Sequence, residues 1–321
     1  MTIAKTTRDS GPLGYERPLL APWFRVVEAG DRLLLEHAGK LVELRGAAVR
    51  ALLPRLIPLL DGAHTVPEIV ERLGETAEEP VSKALALLGA HGLLRDGAAI
   101  GGNDVTAWYV ATSSPGATPA SASESLVGSR VLVSGSSWVA TETARLLAVS
   151  DVDVVVAPFT VEAGSADLVV AAPAPCEVAE LRKANEHRLR DGVPWLAVWP
   201  DDGRCTAVGP LHVPGQTACH ECYLLRRAAT SGYESDFRLV EARPVAAPMP
   251  DAIGAIASGL AALICIRWLG ARDATLTGVL FAFEANGTPG LTRHRMLRVP
   301  RCSACGVSVP PPNPWFKRFG A

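Results

Sequence analysis

Four of the seven cysteines fall into two Cys-x-x-Cys pairs, Cys219 with Cys222 and Cys302 with Cys305. Thiolates are soft ligands, and four of them converging make the closed tetrahedral site typical of structural zinc. Two intervening residues let both sulfurs of a pair face one ion from a single turn. Both pairs lie on turn-like chain, TACHEC after VPGQ and RCSACG after VP. The spacing therefore predicts one zinc ion held by Cys219, Cys222, Cys302 and Cys305. Four thiolates leave no position open for substrate, so the ion is expected to be structural. His220, between two ligands, is expected to point elsewhere. The bland alternative is two redox or merely buried pairs. The N-terminal stretch MTIAKTTRDSGPLGYERP has no apolar core of a secretory signal, which predicts a cytoplasmic protein with reduced thiols.

The elements that must position these groups follow from composition and pattern. The chain has 321 residues, a length suited to two domains, and a formal net charge of −2. No general positive field exists to draw nucleic acid or an anionic membrane, so neither is expected as a partner. The longest apolar stretch, Ala252 to Ile266, is shorter than the ~18 residues a membrane span needs and reads as a buried helix. Residues 1–17 form a tail and 18–102 a first domain. Residues 103–128 form a linker rich in Ser, Ala, Pro and Gly, read as flexible. Residues 129–309 form a second domain, and 310–321 a Pro-rich tail expected to favour polyproline II.

The first domain opens with strand-like runs at Phe24–Glu28, Arg32–His37 and Lys40–Arg45, joined at Gly30 and Gly39. Ala47–Leu60 has helical spacing, bent by Pro54 and Pro58. Thr65-Val66-Pro67-Glu68 matches a capping box and starts a helix to about Leu73. A third helix runs from Pro80 to His91, and LLRDG could return as a wing strand. The order β-β-β-α-α-α predicts a small winged-helix-like module. In the second domain, VLVSG, DVDVVVAP, ADLVVAAP and WLAVWP alternate with helical segments, which implies parallel βαβ units. Strand-like GVLFAFEAN and LTRHRMLRV then lead into the second cysteine pair. The fold class is α/β.

A Rossmann-like half followed by two widely spaced Cys-x-x-Cys pairs resembles the ubiquitin-activating E1-like (ThiF/MoeB) superfamily. The resemblance rests on GPLHVPGQTACHECYLLRR and VPRCSACG and spans roughly Ser129 to Val309. The family's nucleotide turn is rich in glycine, so that backbone approaches phosphate. Here the turn reads Gly135-Ser136-Ser137-Trp138-Val139-Ala140, and only the first glycine stands. No acidic residue is placed for a ribose or a magnesium ion, and Arg226 to Pro250 holds no cysteine acceptor. The resemblance with these departures implies a degenerate fold, no ATP as cofactor, and a chain that is not an enzyme. A homodimer through this domain is a further expectation. The alternatives are an ATP-dependent E1-like adenylating enzyme acting on a peptide, and a zinc-stabilised dinucleotide-binding oxidoreductase.

The N-terminal module resembles the RiPP recognition element, the PqqD-like winged helix that binds leader peptides. RPLLAPWFRVVEAGDRLLLEHAGKLVELRG and LLDGAHTVPEIVERL carry the likeness. Fused to a degenerate E1-like domain, it resembles the Ocin-ThiF-like, or F-protein, family of azol(in)e and thiopeptide biosynthesis. The resemblance implies an adaptor that binds the precursor's leader peptide and delivers it to a partner YcaO cyclodehydratase. The leader would add as a strand beside Lys40–Arg45 and pack on the third helix. That implies peptide-binding roles for Leu41, Val42, Glu43, Leu44 and Arg45 on the strand, and for Val81, Lys83, Ala84, Leu85 and Leu88 on the helix. The bland alternative for the apolar residues is core, and for the charges solvated surface. Carboxylates outnumber basic side chains in this module, opposite to a DNA-reading footprint.

Overall fold

A computed structural model describes residues 15–21, 23–30, 32–37, 39–96, 105–114, 117–243 and 250–306. The expected N-terminal tail, save Tyr15 to Arg17, and the Pro-rich C-terminal tail lie outside these residues. The chain divides into two compact units, Met1–Ser123 and Glu124–Ala321.

The first unit contains β1 (Pro18–Leu20), β2 (Arg25–Ala29), β3 (Arg32–His37), β4 (Lys40–Arg45), α1 (Ala47–Leu56), α2 (Val66–Leu73), α3 (Glu78–Ala90), β5 (Leu94–Asp96) and α4 (Val105–Ser113). The three expected strands form one antiparallel sheet in the order β2-β3-β4. β4 is therefore a sheet edge among the described residues. The expected wing strand, β5, pairs antiparallel with β1, which has no counterpart in the sequence reading. Pro54 stays inside α1, and the chain tightens into a 3-10 turn at Ile57–Leu59, around Pro58. The capping box of α2 forms as its sequence predicts. The Thr65 N–H donates to Glu68 Oε2 at 2.7 Å, and the Glu68 N–H to Thr65 Oγ1 at 3.5 Å. Leu33, Leu35, Val42 and Leu44 of the sheet pack against Leu53, Leu56, Ile69, Val81, Leu85 and Leu88 of the helices.

The expected flexible linker is corrected: much of it is helical, as α4 and α5 (Pro119–Val127). In α4, Ala107, Val110 and Ala111 are buried at helical spacing. Trp108 meets Trp23 edge-on, with ring centroids 5.3 Å apart. Small alanines read as linker in composition are good helix formers once one face is covered.

The second unit contains β6 (Arg130–Ser134), α6 (Trp138–Ala148), β7 (Asp153–Ala157), β8 (Leu168–Ala171), α7 (Glu180–Asp191), β9 (Trp195–Trp199), β10 (Cys205–His212), α8 (His220–Thr230), α9 (Phe237–Glu241), α10 (Asp251–Ala271), β11 (Val279–Glu284) and β12 (Gly290–Arg295). Seven strands form one mixed sheet in the order β12-β11-β10-β9-β8-β6-β7. The β7-β6-β8-β9 half is parallel and the β9-β10-β11-β12 half antiparallel. β8 and β9 are buried along their whole length, as expected for strands covered on both faces. α10 has 21 residues, longer than its apolar run in the sequence, and is long and apolar enough to cross a membrane. It packs against α6 and β10 and buries small residues including Gly254, Ala257, Ser258 and Ala261.

Leu85 has no exposed surface and lies inside the first unit's core. Leu85→Ala is expected to lower the stability of this unit by ~2–5 kcal/mol through lost transfer energy and the cavity left behind. Denaturant unfolding of the full chain reads the change.

Candidate functional site

The four cysteines come together. Cys219 is the N-cap of α8 and Cys222 lies in its first turn. Cys302 and Cys305 lie in the turns that follow β12. Those turns are tight: Arg301 adopts φ 63, and the Gly306 N–H donates to the Cys302 carbonyl at 2.8 Å. A Cβ on Gly306 would sit 2.4 Å from that carbonyl oxygen, so only glycine closes the turn without a shift. The Sγ atoms of Cys219 and Cys222 are 3.8 Å apart, those of Cys219 and Cys302 3.7 Å, and those of Cys222 and Cys305 3.4 Å. All four lie within 4.8 Å of one another.

A tetrahedral ion with metal–sulfur bonds of ~2.3 Å needs sulfurs about 3.8 Å apart, so the cluster fits a metal ion. The Val299 N–H points at Cys222 Sγ from 3.3 Å, a second-layer donor of the kind that steadies a bound thiolate. Without a metal the thiols titrate together. The hydrogen bond from Cys219, with help from the Val299 N–H, brings the Cys222 thiol down to about 4. The same contact, with burial, pushes Cys219 up. His220 turns away as expected. Its ring stacks on Trp199 with centroids 5.3 Å apart, and its backbone N–H donates to Asn185 Oδ1.

Charges the sequence reading did not single out hold the helices around this centre. Glu221 is buried and accepts from Arg182 at 2.9 Å and Arg238 at 2.5 Å, joining α7, α8 and α9. A buried carboxylate needs such partners, because removal of either leaves uncompensated charge. Behind it, His212 is fully buried and desolvation takes its pKa down to about 4, so the ring is neutral. Its Nδ1 then donates to the Ala218 carbonyl at 2.6 Å, next to the first ligand. A cavity of about 780 Å³ borders this cluster, with Arg182, Asn185, Glu221, Arg238, Ser303 and Ala304 in its wall.

A second concavity lies where the strand order reverses, outside the carboxyl ends of β6, β8 and β9. It has about 310 Å³ and is lined by Trp138, Val139, Pro173, Pro175, Val198 and Trp199 among others. Open α/β sheets take ligands at this position. The Gly135 turn packs directly on β8. Its φ is +131, and a Cβ would lie 2.1 Å from the Ala172 carbonyl oxygen. Ser137 caps α6, its Oγ accepting from the Ala140 N–H and donating to the Ala172 carbonyl.

The expected peptide-binding residues divide by exposure. On β4, Leu41, Glu43 and Arg45 face outward, whereas Val42 and Leu44 are core. On α3, Lys83 is exposed and pairs with Glu79, whereas Val81, Ala84, Leu85 and Leu88 are buried. Glu43 is held by Arg45 at 2.7 Å and Arg32 at 3.2 Å. Lys40 Nζ donates to the His91 carbonyl, tying β4 to the end of α3.

No protein-family model and no curated protein matches the sequence. Solved structures do. The chain is similar to the heterocyclase TruD, with TM-score 0.71 and 25% identity over 91% of this chain and 43% of that one. It is similar to a heterocyclase in complex with substrate and cofactor, with TM-score 0.72, 24% identity, and 91% and 40% coverage. It is also similar to the microcin C7 biosynthetic enzyme MccB in complex with N-formylated MccA, with TM-score 0.61, 16% identity, and 90% and 99% coverage. MccB of E. coli has also been solved with ATP. The chain thus spans less than half the length of the heterocyclases it matches. The expectation that it is not an enzyme is corrected here, because the folds it shares over nine-tenths of its length are those of enzymes.

Cys302→Ser removes one of four ligands. Native mass spectrometry is expected to show one metal ion per wild-type chain and none in the variant. The second unit should lose several kcal/mol, since metal binding in such sites is folding energy.

Proposed function

We propose that this chain works in the maturation of ribosomally made, post-translationally modified peptides, as the leader-binding component of a heterocyclase-type system. In this reading the first unit is a RiPP recognition element and the second an E1-like domain. The precursor's leader is presented to a YcaO cyclodehydratase, which forms azoline or thiopeptide-type rings. The observation that carries the proposal is the similarity to TruD along 91% of the chain. The edge position of β4 among the described residues supports it, because a sheet edge can take an added strand. Zinc is the ion this reading gives the four thiolates, since a closed sulfur tetrahedron suits it. The reading also includes a homodimer through the second unit, where α10 leaves Ile256 and Leu263 exposed.

A second reading, an E1-like adenylating enzyme acting on a peptide, is favoured by the fold shared with MccB over 90% of the chain. Pyrophosphate release that needs both ATP and peptide would select it.

Leader binding is tested by fluorescence polarisation with labelled precursor leaders encoded beside this gene, using the full chain without ATP. Binding is expected. Leu41 is 56% exposed on the β4 edge, so Leu41→Asp should weaken it about tenfold, or ~1.4 kcal/mol, with an unchanged melting temperature. Absence of binding across those leaders would defeat the proposal.

A further inference from the structure

The crevice outside β6, β8 and β9 has one charged side chain in its described wall, Asp201, two positions beyond the end of β9. No lysine, arginine or histidine lines it among the described residues. Asp201 is only 9% exposed. Its Oδ1 accepts the Gly203 N–H at 2.8 Å. Among the described residues no cation forms an ion pair with it, and Arg204, three positions on, pairs with Glu284 at 3.2 Å instead. A carboxylate so far removed from water ordinarily has a cation beside it, because its desolvation is otherwise poorly compensated. The other polar groups around the crevice are already engaged. The Ser137 hydroxyl donates to the Ala172 carbonyl at 2.8 Å. One residue earlier, and outside the wall, the Ser136 N–H donates to Glu177 Oε2 at 2.9 Å. Trp199 is fixed in the wall, its ring N–H donating to the Gly209 carbonyl and its ring packed on His220 and Tyr223, so it adds apolar surface and no donor for Asp201. Trp138 differs: it opens α6 and is 49% exposed, with ring surface to offer a ligand.

We propose that this crevice is a binding site for a planar organic cation, a guanidinium or amidinium group of the kind an arginine side chain carries, with Asp201 as counter-ion and the Trp138 indole as stacking surface. A delocalised planar cation is more weakly hydrated than an ammonium, so it enters an apolar crevice at lower cost. It presents a fork of N–H donors to a carboxylate and is attracted to the face of an indole. The crevice, of about 310 Å³, is at the small end of ligand pockets and has room for one such group with its apolar stem. Anions are disfavoured there, since the one charge in the described wall is negative. The inference stands apart from leader binding, because it concerns the second unit and uses no residue of β4.

Benzamidinium, benzamide and benzoate share a ring and nearly a shape but are positive, neutral and negative, so they separate charge from apolar fit. Each is titrated calorimetrically into the full-length wild type, Asp201→Asn and Trp138→Ala. The wild type is expected to bind benzamidinium with a Kd on the order of 1 mM, benzamide about tenfold more weakly, and benzoate more weakly still. Asp201→Asn keeps an acceptor for the Gly203 N–H, so the turn is retained. It should weaken benzamidinium about tenfold, the loss of one charge-assisted hydrogen bond, and bring its Kd close to that of benzamide. Trp138→Ala alters an exposed position and should weaken benzamidinium about threefold. No saturable binding of benzamidinium up to about 10 mM overturns the proposal, and so does benzamide or benzoate binding as tightly as the cation. A preference for the cation that survives in Asp201→Asn also overturns it, because the cation then sits elsewhere. Circular dichroism melting confirms that the variants are folded, and the wild-type charge series tests the proposal without them.

Discussion

The second unit depends on the convergence of four thiols from two distant stretches of chain. Between Cys222 and Cys302 lie the rest of α8, then α9, α10 and the hairpin β11–β12. Closing that loop at one point ties the antiparallel side of the sheet to the start of α8. The entropy cost of closure grows only slowly with length, so a long loop is closed for little more than a short one. Neighbouring polar contacts need the closure. Arg226 donates to the Leu297 and Arg298 carbonyls, and Arg298 donates to the Gly215 and Cys305 carbonyls. These are exposed bonds that would compete poorly with water if the two stretches were not already held together. The buried Glu221 cluster begins one residue after His220, so α8 is fixed by sulfur on one side and by two arginines on the other.

Much of this arrangement was legible because it rests on residue identity at fixed spacing. The cysteine pairs, the Thr65–Glu68 capping box and the short apolar runs of β6, β8 and β9 each carry a local signal with one structural meaning. β10 was missed because its sequence, CTAVGPLH, contains Gly and Pro, which normally interrupt strands. The strand accommodates them with a register shift between Val208 and Leu211 and a cis Gly209–Pro210 bond. β1 is three residues long and takes its pairing from β5, more than seventy positions later, so no window of sequence announces it. Glu177 lies in CEVAELRKAN, where it reads as one more polar residue at a helix start. Its partner Ser136 is set by the fold.

The turn at Gly135 shows how a residue pattern can be read for the wrong reason. The loss of later glycines suggests lost nucleotide chemistry, and the one remaining glycine suggests its remnant. Packing gives Gly135 a different role: a side chain there would collide with the Ala172 carbonyl, so glycine is required by the β6–β8 contact whatever the crevice binds. Its retention therefore carries no information about phosphate. The Ser136 N–H of the same turn is taken up by the Glu177 carboxylate, and the charged side chain in the crevice wall is Asp201. Sequence identity at the turn and electrostatics of the crevice are separate questions, and only the second bears on which ligand enters.

A similar separation applies to the first unit. A peptide adding to β4 would find the α3 residues Val81, Leu85 and Leu88 already consumed by the core, with no surface left to offer. Apolar selectivity must then come from what remains exposed, chiefly Leu41 on the strand and Leu87 on the helix. Charge selectivity cannot rest on unpaired cations either, since Arg45 is engaged with Glu43 and Lys83 with Glu79. Exposed pairs of this kind contribute little to stability, so an incoming carboxylate could exchange for Glu43 or Glu79 at small net cost. Such exchange would favour acidic peptides only weakly, and by the same reasoning raised salt would affect it only modestly. Affinity would then come mainly from main-chain hydrogen bonds along β4, and sequence choice from the few side chains that bracket that edge.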